Sequence, residues 1–255
     1  MPSISAVLII KNEADNLHDC LKQLQWVDEI IVVDSGSSDE SLHIARSFDA
    51  KIFSHSDWQG YGRQRQIAQD HACSEWILMI DADERVTDDL QKEIMNVIRH
   101  QPLAAYAIPR LSWVFGRFIR HGGWYPDYVI RLYPKALAAY NSALVHEKVI
   151  FNHDLPVHKL DANLLHYTYR DLQHYLVKSA FYASQWAEAK AQQGKTASLT
   201  EAFFHALFCF LRMYLLRRGF LDGSQGLLLA TLSAHSTFVK YADLWIRHAT
   251  SPHKS

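Results

Sequence analysis

The first hundred residues alternate between apolar runs and segments that carry apolar residues at helical spacing. Strands buried on both faces of a parallel sheet are predicted at the apolar runs 4–10 and 76–80 and at 29–34, where four apolar residues stand between Glu29 and Asp34. Residues 14–24 carry apolar side chains at intervals of three and four, which predicts a helix. Strands and helices that alternate at short spacing indicate parallel strands joined by right-handed crossovers. Residues 1–100 are therefore predicted to form an α/β half of the nucleotide-binding type.

Shorter segments complete the predicted architecture. Further strands are expected at 51–54, 105–114 and 128–133, and further helices at 62–72, 88–99 and 171–190. Ser37 and Glu40 lie three residues apart and predict a capping box for a helix that ends at Phe48.

Polar side chains follow three of the predicted strands at the point where each strand ends. Ligands of open α/β sheets bind just past the carboxyl ends of strands, so these side chains are candidates for ligand binding. For Asp34 the alternative is a turn-forming role. The candidates are Asn12, Glu13, Asp34, Ser35, Asp81 and Asp83.

Asp81 and Asp83 suggest a metal–diphosphate site. They are two residues apart, so in extended backbone their side chains point to the same side. Two crowded carboxylates repel unless a cation lies beside them, and Mg²⁺ or Mn²⁺ prefers oxygen ligands and substrate phosphates. His166 could complete an Asp/His metal shell. The alternatives are a solvated acidic turn for the two aspartates and a core or surface role for the histidine.

The middle of the chain offers two further kinds of candidate. Arg63 and Arg65 are possible phosphate partners, although for one of them a position on a solvated helix face is the alternative. Glu147 is flanked by apolar residues, so the pKa of its carboxyl could be raised and the group could work as a base. A surface hairpin with a salt-bridged glutamate is the alternative reading of that segment.

The C-terminal part contains an unusually apolar segment at 202–216, followed by Arg217 and Arg218. His205 and Arg212 interrupt it, and we expect it to be too short to span a bilayer comfortably. It could lie in the membrane interface with its arginines toward anionic head groups. The alternative is a helix packed on its own domain or on a second subunit.

Composition and charge limit the number of domains, the kind of partner and the compartment that can be expected. The 255 residues suffice for one large or two small domains. A formal net charge of −1 gives no overall field that draws the protein to nucleic acid, so no such partner is expected. Three cysteines form neither a CxxC pair nor an even framework, which favours a reducing compartment.

Three motifs together resemble those of the inverting family-2 glycosyltransferases of the GT-A fold. They are Ile9–Glu13 for the first loop, Val32–Asp39 for the nucleoside loop and Asp81–Glu84 for the metal motif. Later segments are similar to the lipopolysaccharide inner-core glucosyltransferases that place β-1,4-linked glucose on heptose. Those segments are 122–127, 145–147, 166–171 and 219–223.

The resemblance implies a GT-A domain over residues 1–170, an α/β structure with a mostly parallel sheet, and a helical C-terminal region over 171–255. It implies a nucleotide-sugar donor such as UDP-glucose, Mg²⁺ or Mn²⁺ as cofactor, and a lipid-linked oligosaccharide acceptor. The protein is then expected to be cytoplasmic and peripheral on the inner membrane, and an oligomer is possible.

The resemblance also assigns roles to individual residues. Asp83 would hold the metal, with His166 in its shell, while Asp81 would contact the ribose or the metal's waters. Glu13 and Asp34 would hold the ribose and base. Further candidates for donor binding are Asn12, Ser35, Arg63 and Arg131.

The catalytic base is where the sequence departs from the family pattern. Many members of the broader family carry a Glu-Asp pair whose Asp is the base, and residues 100–170 contain no clear pair of this kind. His146-Glu147 occupies that region, so Glu147 is the first candidate and Asp127 the second.

Other activities stay open at this point. The donor could be a nucleotide sugar other than UDP-glucose, or the acceptor could be a molecule other than the lipopolysaccharide inner core. A nucleotidylyltransferase should carry a Gly-rich, Arg-containing phosphate loop after its first strand, whereas Lys11-Asn12-Glu13 is acidic and free of glycine. A non-catalytic, membrane-bound nucleotide-sugar-binding module would not need carboxylates that converge on one site.

Overall fold

The computed structural model describes residues 2–100, 102–142, 147–152, 154–169 and 171–250. The chain forms two compact units. The first comprises Met1–Arg110 and Asp127–His166, and the second comprises Leu111–Pro126 and Tyr167–Ser255. The expected division at residue 170 stays a prediction about functional domains; by compactness, the segment from Leu111 to Pro126 groups with the C-terminal helices.

The chain contains the following strands and helices in its described part. The strands are β1 (Ile4–Ile10), β2 (Glu29–Asp34), β3 (Lys51–Ser54), β4 (Trp76–Met79), β5 (Glu84–Val86), β6 (Ala105–Val114), β7 (Arg117–Phe118), β8 (Asp127–Pro134), β9 (Ala138–Tyr140), β10 (Val149–Phe151), β11 (Val157–Lys159) and β12 (Leu164–Tyr169). The helices are α1 (Ala14–Lys22), α2 (Ser41–Ser47), α3 (Tyr61–Asp70), α4 (Asp88–His100), α5 (Leu172–Gln192), α6 (Leu199–Leu211) and α7 (Gly223–Ala249).

The main sheet has the strand order β3-β2-β1-β4-β8-β6-β12-β5. Strands β3, β2, β1 and β4 are parallel, as predicted from the alternation of strands and helices in this part of the chain. From β8 onward the sheet is mixed, because β8 pairs antiparallel with β4 and with β6, and β12 pairs antiparallel with β5. The loops that follow β1, β2 and β4 therefore leave the same edge of the sheet.

Helices cover both faces of the parallel strands. On one face, Leu17 of α1 and Leu90 of α4 pack in the cluster that contains Leu8 of β1. On the other face, Ala68 of α3 packs in the cluster that contains Met79. A fully buried aliphatic side chain contributes about 1.5–3 kcal/mol. The parallel strands β1, β2 and β4, whose ends lead into the polar loops, are consequently packed between two hydrophobic clusters.

The predicted capping box at the start of α2 is wrong. Helix α2 begins at Ser41 after Glu40, which makes no side-chain capping hydrogen bond. The hydroxyl of Ser37 instead accepts a hydrogen bond from the backbone N–H of Asn12 at 2.9 Å. Asp39 accepts from the N–H of Ala14 at 3.1 Å. The hydroxyl of Ser37 is thus used to fasten the loop after β1 and does not cap α2. Asp39 does both, because its other carboxylate oxygen accepts from the N–H of Ser41, the first residue of α2, at 3.0 Å.

In the second unit, α5 and α6 both pack against α7. Asp171 caps α5 by accepting from the N–H of His174 at 2.7 Å, and Ser198 with Glu201 forms a capping box at α6. A small core in this unit includes Ile119, Tyr175 and Leu229. Its helices accordingly leave much apolar surface exposed.

The apolar helix is longer than the sequence predicted. It begins at Leu199, and after Leu211 it continues as a π-helical segment over Arg212–Leu216. Leu199–Leu216 is long and apolar enough to cross a membrane by length and composition, and 6% of it is buried. The expectation that the segment is too short is therefore corrected, since the helix takes in three residues before position 202.

Candidate active site

The loop after β2 is shaped by Asp34, whose side chain is buried. Its carboxylate accepts hydrogen bonds from the N–H groups of Gly36 at 3.0 Å and Ser37 at 3.1 Å. Asn12, with a φ of 56°, accepts from the N–H of Ser38 at 2.8 Å. The loops after β1 and β2 are thus fastened to each other.

Ser35 and Glu13 belong to the same pair of loops. Gln64 of α3 is fully buried and donates to the hydroxyl of Ser35 and to the carbonyl of His55, both at 2.9 Å. The backbone N–H of Glu13 donates to the hydroxyl of Ser41 at 2.8 Å. The structure therefore brings together the four residues predicted at the ends of β1 and β2, and their contacts with a nucleotide stay a prediction.

The extended backbone that was expected for Asp81 and Asp83 is not observed. They lie in a tight turn after β4, in which Glu84 donates its N–H to the carbonyl of Asp81 at 2.9 Å. The side chain of Glu84 in turn accepts from the N–H of Asp81 at 2.9 Å. Because the turn rotates the backbone between them, the two aspartates have different partners.

Asp81 is held by two arginines. Arg65 of α3 donates to its Oδ1 at 2.7 Å, and Arg131 of β8 donates to its Oδ2. Arg131 also donates to Glu84 Oε1 at 2.7 Å. Burial raises the pKa of the Asp81 carboxyl, but the charges of Arg131 and Arg65 outweigh burial and hold that pKa well below its usual value. Asp81 is thus an anion in the folded protein.

Each arginine still has an unused donor. Among the described residues, Arg65 Nη1 and Arg131 Nε are buried and have no hydrogen-bond partner. A buried N–H group without a partner costs about 1–3 kcal/mol, and native structures contain few of them. Guanidinium groups match the geometry of phosphate oxygens. The cluster therefore has the chemistry to bind an anionic ligand.

Both predicted bases connect to this cluster. Arg65 Nε donates to Glu147 Oε1 at 3.1 Å. Arg110 Nε donates to Asp127 Oδ2 at 2.9 Å, and Arg110 Nη1 lies 3.7 Å from Glu84 Oε1. The resulting ion-pair chain runs in the order Glu147, Arg65, Asp81, Arg131, Glu84, Arg110, Asp127.

The two bases differ in exposure. The side chain of Glu147 is 17% exposed, whereas that of Asp127 is 45% exposed. His146, which precedes Glu147 in the predicted motif, lies outside the described residues. The geometry keeps both carboxylates as candidates, since each lies at one end of the same chain of ion pairs.

Asp83 and His166 form the candidate metal site. His166 Nε2 lies 3.3 Å from Asp83 Oδ2, and both side chains are partly exposed. His166 is positioned by β12, where it pairs with Glu84 in the antiparallel register. The described residues contain no group of three or more His, Cys, Asp or Glu that could hold a metal ion. Two protein donors suit Mg²⁺ or Mn²⁺ only where phosphate oxygens and water complete the shell.

The structure separates the two arginines of α3 that the sequence left undecided. Arg63 is exposed and donates to Gln66 of its own helix at 3.1 Å. Arg65 is buried and ion-paired to Asp81 and Glu147. A role for Arg63 in donor binding stays a prediction, while Arg65 is the arginine that the fold places in the cluster.

Sequence reasoning missed Glu84 and Arg110. Glu84 is fully buried and Arg110 pairs with Asp127 across β6 and β8. The available signals were that Glu84 ends the acidic motif and that an arginine in the long apolar strand β6 needs a partner. The sequence did not show which strand lies beside β6, so the partner was not identifiable.

Removing the Asp81 carboxylate is expected to destabilise the protein. Asp81→Ala removes the carboxylate that two buried guanidinium groups share, so that Arg65 keeps only Glu147 and Arg131 only Glu84. Removing one partner of a fully buried ion pair costs about 3–5 kcal/mol. Because the Asp81 side chain is 27% exposed, we expect the lower end of that range. Urea unfolding of the variant measures the loss. Asp89→Ala, at an exposed acid of α4, is the matched control and should change the free energy of unfolding by less than about 0.5 kcal/mol.

The same ion pairs predict the sign of the pH dependence. The pKa of Asp81 is lower in the folded state, so its stabilisation is fully present above the unfolded pKa of about 3.9. That stabilisation is lost as the pH falls below this value. The wild type and Asp81→Ala should therefore converge in stability at low pH, and a gap that stays constant from neutral to acidic pH would contradict the assignment.

The chain is similar to known proteins over nearly its whole length. The family model for Glycosyl transferase family 2 matches residues 5–150. An uncharacterized glycosyltransferase of Rickettsia felis is 30% identical over 259 residues, covering 96% of this chain and 90% of that protein. The lipopolysaccharide core biosynthesis glycosyltransferase LpsC of Rhizobium meliloti is 26% identical over 257 residues, covering 96% and 93%.

A solved structure is similar at the level of fold. The crystal structure of TarS 1-349 of S. aureus in complex with UDP-GlcNAc gives a TM-score of 0.51 at 15% sequence identity. The match covers 99% of this chain and 93% of that chain. The predicted GT-A fold, an α/β structure with C-terminal helices, is confirmed.

Proposed function

Because the chain belongs to glycosyl transferase family 2, we propose that it transfers glucose from UDP-glucose to a heptose of a lipopolysaccharide inner core, with inversion at the anomeric carbon. The observation that carries the proposal is the ion-pair cluster around Asp81, in which Arg65 and Arg131 keep buried N–H groups without a partner. The name of LpsC and the motif resemblance support the acceptor.

The donor binds at the edge of the sheet where β1, β2 and β4 end. Asn12, Glu13, Asp34 and Ser35 line the two fastened loops and contact the nucleoside. The unused N–H groups of Arg65 and Arg131 bind the diphosphate, which would satisfy donors that the protein leaves unpaired. Asp81 holds both arginines in position.

A divalent metal ion fits beside this diphosphate. Asp83 and His166 are the two residues that would hold it, with phosphate oxygens and water as the remaining ligands. When bound, Mg²⁺ or Mn²⁺ supplies positive charge that offsets the negative charge of the leaving diphosphate.

A carboxylate on the acceptor side takes the proton of the attacking hydroxyl. The oxygen of that hydroxyl attacks the anomeric carbon opposite the leaving diphosphate, and the bond from carbon to diphosphate breaks in the same step. Glu147 is the first candidate for this base and Asp127 the second. The arginine beside each carboxylate donates a hydrogen bond to it and orients it.

A lipid-linked acceptor requires the enzyme to work at a membrane surface. The exposed apolar side chains of α6 support a cytoplasmic protein bound peripherally to the inner membrane. Association into an oligomer is compatible with the same exposed surface.

Product analysis tests the proposal. Purified protein incubated with UDP-glucose and Mn²⁺ should release UDP slowly with water as acceptor, and faster when a heptose-terminated core acceptor is added. The product should carry a β-linked glucose by NMR. A screen of other nucleotide sugars under the same conditions is the control for donor choice. Release of pyrophosphate from a nucleoside triphosphate, or nucleotide-sugar binding without turnover, would contradict the proposal.

A further inference from the structure

Four exposed arginines of the second unit lie in two segments, two of them before the loop at Gly123 and two directly after the π-helical segment. They are Arg117, Arg120, Arg217 and Arg218, named here the arginine cluster. The Arg217 side chain lies over Gly123, where a Cβ atom would collide with its guanidinium group. Arg117 Nη2 donates to the carbonyl of Leu221 at 3.3 Å. The cluster thus connects the loop around Gly123 with the turn after the π-helical segment.

The arginine cluster keeps its positive charge. Asp222 is buried next to it, but its carboxylate accepts from the N–H groups of Arg120 at 3.1 Å and His121 at 2.7 Å, and contacts His121 Nδ1 at 3.0 Å. None of the four guanidinium groups forms an ion pair with a carboxylate in the part of the chain that the structure describes. Four like charges this close together repel unless an anionic partner is present.

Apolar side chains stand beside these charges. Leu215 and Leu216 end the π-helical segment, and Phe220 and Leu221 follow Arg217 and Arg218 in the next turn. All four are exposed, Leu216 to 73%. Along α6, the exposed residues Phe204, Phe208 and Leu211 extend the same apolar surface at spacings of four and three.

The loop that carries Arg120 is fixed to the turn. Gly122 donates its N–H to the carbonyl of Arg217 at 2.9 Å, and Asp222 holds the N–H groups of Arg120 and His121. The Arg120 guanidinium carbon lies 5.7 Å from the ring centroid of Tyr125. Charged and apolar groups are consequently presented on one preformed surface.

We propose that this surface docks onto an anionic lipid bilayer. Leu215, Leu216, Phe220 and Leu221 enter the boundary between head groups and acyl chains, and the arginine cluster binds lipid phosphates. The inference deepens the proposed function, on which it rests for the lipid-linked acceptor, by naming the contact residues and the charge of the lipid. The occupant follows from charge complementarity between guanidinium groups and phosphate.

The other occupants fit less well. A symmetric dimer through this face would bring two copies of the arginine cluster together, because a two-fold interface uses the same patch twice. A membrane-spanning α6 would draw α7 into the bilayer with it, because the His205 ring stacks on Tyr241 of α7 with centroids 4.2 Å apart. Among the described helices, α7 is not apolar enough to cross a membrane. One side of α6 is therefore packed on protein, as a helix lying in the interface requires.

Vesicle sedimentation tests the inference. The wild type should pellet with vesicles of phosphatidylcholine and phosphatidylglycerol, and not with phosphatidylcholine alone. The double variant Arg120→Ala/Arg217→Ala should lose about 10–30-fold in affinity, since each arginine near an anionic surface contributes about 1 kcal/mol. Lys22→Ala/Lys195→Ala removes the same charge at two exposed lysines elsewhere and should bind like the wild type.

A second pair of substitutions separates insertion from charge. Leu216→Ser/Phe220→Ser keeps the arginine cluster and should lower affinity for the anionic vesicles by about 10-fold or more. Melting temperatures of all variants check that each one folds. Binding that is unaffected in both double variants would overturn the inference.

Two further outcomes would show that the surface binds something other than the head groups of a lipid bilayer, or that α6 spans the bilayer. Competition by millimolar glycerol 3-phosphate would mean that the cluster takes a free phosphate, and protein that resists alkaline carbonate extraction would mean that α6 spans the bilayer. Either result overturns peripheral docking. If the wild type releases UDP from UDP-glucose in the absence of vesicles but does not bind anionic vesicles, this inference is refuted and the proposed function is not. If the wild type binds anionic vesicles but shows no turnover of UDP-glucose, the proposed function is refuted and this inference is not.

Discussion

Glu147→Gln is expected to lower kcat by about 10²–10⁴ while the affinity for UDP-glucose stays near that of the wild type. Glutamine keeps the size of the side chain and an oxygen that can accept from Arg65, so the Asp81 cluster is preserved. The group that takes the acceptor's proton is lost. Single-turnover kinetics with the heptose acceptor measure the chemical step, and calorimetric titration with UDP measures donor-site binding.

Asp127→Asn is the matched comparison, because Asp127 is also held by an arginine and lies at the other end of the ion-pair chain. We expect it to retain most of the activity. A dead Asp127→Asn variant beside an active Glu147→Gln variant would move the base to Asp127. Normal turnover in both variants would show that neither carboxylate takes the proton.

Asp83→Asn is expected to abolish sugar transfer, and chelation of divalent metal with EDTA should do the same. The substitution removes the charge of one of the two proposed metal-holding groups and leaves the buried strand β4 untouched. Without the metal, the leaving diphosphate develops its charge uncompensated. Transfer rates with and without added Mn²⁺ measure the effect.

Two controls make the metal assignment specific. The melting temperature of Asp83→Asn should stay close to that of the wild type, since Asp83 is partly exposed and outside the Asp81 cluster. Mn²⁺ should strengthen UDP binding to the wild type and to Asp89→Ala, but not to Asp83→Asn. Full activity in EDTA, with removal of the metal verified, would exclude the metal role.

The sequence was sufficient for the elements whose signals are local. The apolar runs of β1 and β2 and the long strand β6 have the bounds that the pattern predicted. A buried parallel strand needs apolar side chains on both faces, so its ends are visible where polar residues begin. The same logic placed Asp34 and Asp81 at the edge of the sheet.

Features that depend on distant partners were not predictable in this way. The spacing of Ser37 to Glu40 predicts a helix cap, yet the Ser37 hydroxyl accepts a hydrogen bond from the backbone N–H of Asn12, 25 residues away. The two-residue spacing of Asp81 and Asp83 predicts that they share one face of a strand, whereas a four-residue turn from Asp81 to Glu84 gives them separate partners. Hydrogen bonds between residues far apart in sequence compete with local ones for the same side chain, and the sequence alone does not show which of them forms.

The insertion of residues 111–126 into the second unit sets the order in which a growing chain can fold. Ile119 is buried with Leu229, which is synthesised 110 positions later. At a translation rate of about 5–20 residues per second, this segment waits roughly 5–20 seconds for its partner after leaving the ribosome. During that delay its apolar residues are available to chaperones. A nascent chain stopped before Leu229 should therefore stay bound to a chaperone longer than the completed protein does.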